Sequence, residues 1–93
     1  MIGYTLDALR DLVRHQARLS EFSPRAATAF ASLLALAERR IETRPKSYRL
    51  LRDGETRRYS FKINRTTYLL DYRIEPDQIV VLRVWHGRQD RPE

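Results

Sequence analysis

The sequence predicts an α+β fold: an N-terminal helical hairpin, about residues 6–44, packed on a C-terminal antiparallel β-meander, about residues 48–86. Two observations predict it. Apolar residues recur at helical spacing up to Pro45 and alternate with polar ones beyond it. Turn signals at Asp53-Gly54, Asn64-Arg65 and Glu75-Pro76-Asp77 then cut the second half into four short segments.

In chain order, Ile2 to Tyr4 is a short stub of strand able to join the sheet ahead of the first helix. Leu6, Leu9, Leu12, Val13 and Gln16/Ala17 then hold one helical face from about 6 to 19, with Thr5 as N-cap and Asp7 and Asp11 near the positive end of the helix dipole. Ser23-Pro24 supplies a capping hydroxyl followed by proline at the first helical position. Ala27, Phe30, Leu33, Leu34, Ala37 and Ile41 carry that second helix to about Arg44, where Pro45 stops it. The four residues Ser20 to Ser23 favour an antiparallel hairpin, and both stripes read as core. In the meander Tyr59, Phe61 and Ile63 alternate with Arg58, Ser60 and Lys62, giving one apolar and one basic face. Tyr68, Leu70, Tyr72 and Ile74 repeat the alternation, and Ile79 to Leu82 is apolar on both faces, as a central strand covered on both sides would be.

The 93 residues form one domain in this reading, and 42% hydrophobic content is too apolar for a disordered tail. With no cysteine and two histidines, a disulfide framework, a thiolate site and a tetrahedral zinc site are excluded, and no metal or cofactor is expected. Charged residues interrupt the N-terminus and no stretch of 18 apolar residues occurs, so the expected location is the cytoplasm, without membrane insertion. The formal net charge is +6, and all of it comes from residues 44–65. There Arg44, Lys46, Arg49, Arg52, Arg57, Arg58, Lys62 and Arg65 face only Asp53 and Glu55. A basic strip of this kind attracts nucleic acid or an acidic protein surface.

Several motifs resemble the RelE/ParE superfamily of toxins from bacterial type II toxin–antitoxin modules, and most closely its ParE-like branch. They are Ala8 with Asp11-Leu12 in the first helix, Ala26 or Ala27 with Phe30 in the second, and Pro45 after it. Arg57-Arg58-Tyr59, Tyr68 and Tyr72-Arg73-Ile74 follow in the strands, and the run Val81 to Asp90 (VLRVWHGRQD) is the strongest signal. The resemblance implies a small growth-arresting protein silenced by a cognate antitoxin with an acidic amphipathic segment. It also implies one of two targets. ParE-like members poison DNA gyrase, the leading expectation here; RelE-like members cut mRNA on the ribosome.

Cleavage through the 2′-hydroxyl requires a base, an acid and cations around the phosphate. For the ribonuclease alternative His86, Arg88 and Arg58 are the candidates, with Lys62 a further phosphate clamp and Glu55 a second possible base. The family's nucleases commonly carry a tyrosine beyond the last strand, whereas this chain has none after Tyr72. For a binding toxin the candidate contacts with target or antitoxin are Arg49, Arg52, Arg57, Arg58, Lys62, Arg83 and Trp85. Each has a structural counterpart: His86 as a tether for the tail, Trp85 as packing, Arg83 paired with Asp71 or Asp90, and Arg57 and Arg58 as a solvated edge that discourages sheet aggregation. His15 reads as a residue on the polar side of the first helix, without a chemical role.

Overall fold

A computed structural model describes all residues, 1–93. The elements are β1 (Ile2–Tyr4), α1 (Leu6–Phe22), α2 (Pro24–Thr43), a short 3₁₀ turn (Pro45–Ser47), β2 (Arg49–Leu50), β3 (Thr56–Ile63), β4 (Thr66–Ile74) and β5 (Ile79–His86). The sheet order is β1-β5-β4-β3-β2. β1 runs parallel to β5 and every other pair is antiparallel, so the N-terminal stub does extend the meander and makes it a mixed sheet.

Local chemistry sets the boundaries. The Thr5 hydroxyl accepts the Ala8 amide at 3.1 Å and the Ser23 hydroxyl accepts that of Ala26 at 3.2 Å, each satisfying an orphan donor at a helix start. α1 runs three residues beyond the expected end at 19, leaving Ser23 alone between the helices. Gly54 (φ 74°) and Asn64 (φ 54°) take the left-handed conformations that the two tightest turns require. Asp53 closes the first of these turns, accepting the amides of Glu55 and Thr56 and the Thr56 hydroxyl.

Both helices lie on one sheet face, over Tyr59, Phe61 and Ile63 of β3, Tyr68, Leu70 and Tyr72 of β4, and Ile79, Val81 and Val84 of β5. From the helices, Ala8, Phe30, Ala37 and Ile41 complete this core. The expectation that β5 is covered on both sides fails, because Val80 and Leu82 on its outer face remain half-buried.

Two further differences concern β5. Tyr72 pairs with Val81 but Asp71 pairs with Arg83, so Leu82 is an extra residue and the strand changes parity there. This bulge lets Val81 and Val84 both face the helices. It also sends Arg83 and Trp85 to the outer face and sets His86 beside Tyr68.

α1 buries only part of its apolar stripe, with Leu12 packed against the core. Leu6, Leu9 and Val13 are 61%, 47% and 70% exposed, while Ala8, Asp11 and His15 are buried. The cause is an unpaired strand edge. β1 covers β5 only as far as Val81, and α1 lies along the remainder. The Thr5 hydroxyl donates to Leu82 O (2.7 Å), Asp11 Oδ2 accepts Val84 N (2.9 Å) and His15 Nε2 donates to Val84 O (2.8 Å). These side chains replace a missing strand, because buried backbone groups must find partners. His15 is thus a structural core residue, correcting its placement on the polar side.

Candidate functional site

Two polar arrangements stand apart from the core. On the outer sheet face Arg58 reaches across to β4, its Nε and Nη2 bonding Asp71 at 2.6 and 2.9 Å. Trp85 Nε1 donates to the same carboxylate at 2.8 Å. The C-terminal tail folds back over this group: Arg58 Nη2 donates to Pro92 O (2.8 Å) and Nη1 to Glu93 Oε2 (3.0 Å). The Asp71 hydrogen bond, although opposed by burial, holds the Arg58 guanidinium above its usual pKa. Arg58 is therefore a buried structural ion, correcting its assignment to a solvated edge. Arg83 pairs with Asp11 at 2.7 and 3.0 Å rather than with Asp71 or Asp90, and its guanidinium carbon lies 4.2 Å from the Trp85 ring centroid. Trp85 packs here as its structural reading expected. Arg52, Arg83 and Trp85 line a cleft of about 420 Å³ on this face, while Arg49 pairs with Glu93. Arg57 leaves this group, its Nη1 donating to the carbonyls of Lys46 and Tyr48. Lys62 stays exposed.

The second arrangement is a cleft of about 720 Å³ between the C-terminal half of α1, the β3–β4 turn and the segment after β5. Arg14 and Arg18 come from α1, Arg65, Thr66 and Thr67 from the turn, and His86, Arg88 and Arg91 from the end of β5 and the tail. No apolar side chain and no carboxylate lines it. Gly87 comes close to the turn here: its amide bonds Thr67 O at 2.7 Å, and a Cβ there would crowd that oxygen at 3.0 Å. Arg14 pairs with Asp11 at 2.8 Å, and Arg91 donates to the carbonyls of Gly87 and Gln89. Arg18, Arg65 and Arg88 form no ion pair.

Both histidines at this cleft have their pKa values lowered. Burial, with Arg18 and Arg88 close by, lowers the pKa of His86. Burial likewise lowers that of His15, outweighing the Val84 carbonyl. His86 Nδ1 accepts the Arg88 amide at 3.1 Å, so in the neutral ring the proton sits on Nε2. The His86 amide in turn donates to Gln89 Oε1 at 2.7 Å, which ties the tail to the strand as its structural reading expected.

The ribonuclease candidates are not gathered. His86 and Arg88 share the cleft, but Arg58 is bound to Asp71 on the other sheet face. Glu55 pairs with Arg73 (3.7 Å) at the far end of β3, six residues from the Phe61 that registers with Tyr68 and His86, or about 20 Å along the strand. No group of three or more His, Asp or Glu side chains stands where a metal ion could be held. No helix is long and apolar enough to cross a membrane. Residue counting along the chain missed the contribution of Arg14, Arg18 and Arg91. The available signal was the pair Arg14 and Arg18, one helical turn apart on the face that carries His15.

Comparison with known proteins agrees with this architecture. The sequence model of the ParE toxin of the type II toxin–antitoxin system, parDE, matches residues 2–91. The chain is also 32% identical over 84 residues to Toxin RelE1 of Caulobacter vibrioides, an alignment spanning 90% of this chain and 89% of that protein. With the fold, the Val81–Asp90 run and a family match over nearly every residue, the chain belongs to the ParE toxin family of type II toxin–antitoxin systems.

Proposed function

We propose that this toxin arrests growth by binding rather than by cutting RNA, and that its target is DNA gyrase, held at the stage where its DNA is cleaved. The observation that carries this reading is the state of His86. With Nδ1 occupied by the Arg88 amide, its neutral ring offers the cleft an N–H donor and no free lone pair, and no carboxylate lines the cleft to act as base instead. That arrangement suits holding an anion and leaves His86 without the lone pair that 2′-hydroxyl attack requires, while His15, the other histidine on the wall, is buried and held by Val84 O.

A type II toxin has a cognate antitoxin. Leu6, Leu9 and Val13 form an exposed apolar stripe beside Arg10, matching an amphipathic acidic segment that orders on binding. The experiment is brief expression of the toxin alone, with chromosomal double-strand breaks, SOS induction and mRNA integrity followed in parallel. Breaks with intact messages are expected, and His86→Ala retains them. Codon-phased mRNA cuts without primary DNA damage would overturn the proposal and make His86 and Arg88 catalytic.

A further inference from the structure

We infer that the arginine cleft between α1, the β3–β4 turn and the tail is a binding site for the phosphodiester backbone of duplex DNA, used by this chain directly and without reading sequence. The inference goes beyond the target named above, since it concerns a contact with the nucleic acid itself and stands whether or not gyrase is that target.

The lining selects the chemistry. Five arginines face one cleft without a carboxylate among its walls, and three of them, Arg18, Arg65 and Arg88, have no ion pair to lose on binding. Guanidinium forks with the hydroxyls of Thr66 and Thr67 are the groups that grip phosphate oxygens. His86 adds a neutral N–H donor. A volume of about 720 Å³ is roughly 9 Å across, and each strand of a duplex presents one charge per about 3.4 Å of axis, so about three phosphates face the three unpaired arginines.

The same walls argue against other polyanions. Single-stranded nucleic acid is held by stacking its bases on exposed aromatic rings; the rings at this cleft are His15, which is buried, and His86, which packs against Tyr68, while Trp85 is committed to Asp71 on the opposite sheet face. An acidic amphipathic peptide needs apolar contacts as well as charge, and the exposed Leu6, Leu9 and Val13 project from α1 about 110° around the helix from Arg14 and about 150° from Arg18. The cleft has no base-reading geometry, so contacts here fix position and leave sequence unread.

The test is fluorescence anisotropy with the full-length purified toxin and a labelled mixed-sequence duplex, titrated between about 50 and about 200 mM salt. Two triple variants lose the same charge: Arg18→Ala, Arg65→Ala, Arg88→Ala within the cleft, and Arg10→Ala, Arg25→Ala, Arg39→Ala on exposed helical positions outside it. The cleft variant should flatten the salt dependence by about three in log–log slope, removing on the order of 40-fold of the change across that salt range. The control variant should keep the native slope. Circular dichroism checks that both remain folded, and Arg65→Glu alone, at an exposed turn, should weaken binding if the triple variant does not fold. Equal loss in both triple variants would reduce the effect to net charge and overturn the site. No binding to the duplex, or tighter binding of a single-stranded RNA of the same length or of polyglutamate, would overturn it as well.

Discussion

Replacing Arg58 by alanine separates a structural ion from a contact residue. Its side chain is 3% exposed and that of Asp71 is 6% exposed, with two hydrogen bonds between them and a third to Asp71 from Trp85. Arg58→Ala leaves Asp71 buried with its charge uncompensated, a change that costs about 3–5 kcal/mol, against about 5–14 kcal/mol of total stability for a chain this size. At about 4 kcal/mol the melting temperature should fall by roughly 16–32 °C. Trp85 is the one tryptophan and sits in the network, so its fluorescence during thermal and urea unfolding of the purified toxin reads the loss directly. If the single variant does not fold, Arg58→Met with Asp71→Leu should recover about half the stability. The buried charge is then gone, while Trp85 Nε1 lacks an acceptor at about 1–3 kcal/mol. An Arg58→Ala protein as stable as the native one but without toxicity would refute the reasoning and return Arg58 to the target interface.

Two further outcomes follow from the same geometry. Burial raises the Asp11 pKa, but the Arg83, Val84 and Arg14 hydrogen bonds outweigh it and leave the carboxyl below its usual value; its stabilisation is complete above about pH 4 and lost as pH falls through the folded value. His15 and His86 are also depressed, mainly by burial, but there the unfolded chain takes up the proton first, so stability is full above about pH 6.5 and declines below it. Urea midpoints measured from about pH 2 to 8 should show both limbs, with Asp11→Asn flattening the acid limb and His15→Gln the neutral one; Asp53, held down to about 2 by its Thr56 and Glu55 bonds, leaves a residual acid slope. Val13→Glu on the exposed stripe should change stability by less than about 0.5 kcal/mol while weakening antitoxin binding at least tenfold by calorimetry, and unchanged affinity would place the antitoxin elsewhere.

The hairpin and meander were legible because their signals are local. Ser23-Pro24, Pro45, Gly54 and Asn64 each act within a few residues, and the alternation in β3 and β4 reports which face is buried. The orientation of α1 was not legible, because hydrophobic periodicity assumes that helices bury apolar side chains. This helix instead buries Asp11 and His15 to satisfy a strand edge some seventy residues away, which no local pattern displays. The bulge at Leu82 was hidden for a related reason: β5 is apolar on both sides of it, so either parity fits the sequence. The cleft escaped because it draws on three separate segments, and summing charge by stretch assigned the positive field to residues 44–65 alone. In the structure that strip is dispersed. Arg58 is neutralised at the sheet, Arg57 is spent on carbonyls, and Arg65 joins arginines from the other segments.

The pairing of the first strand with the last also dictates when this toxin becomes a folded protein. Until Ile79–His86 leaves the ribosome, β1 has no neighbour, Asp11 has neither Arg83 nor the Val84 amide, and His15 has no carbonyl to hold. Closing a loop of this length must precede the contacts that reward it, so the docking of α1 is a late event that waits for β5. A partner that recognises the docked helix face consequently meets chains whose last strand is already in place. The topology itself thereby separates making the toxin from arming it.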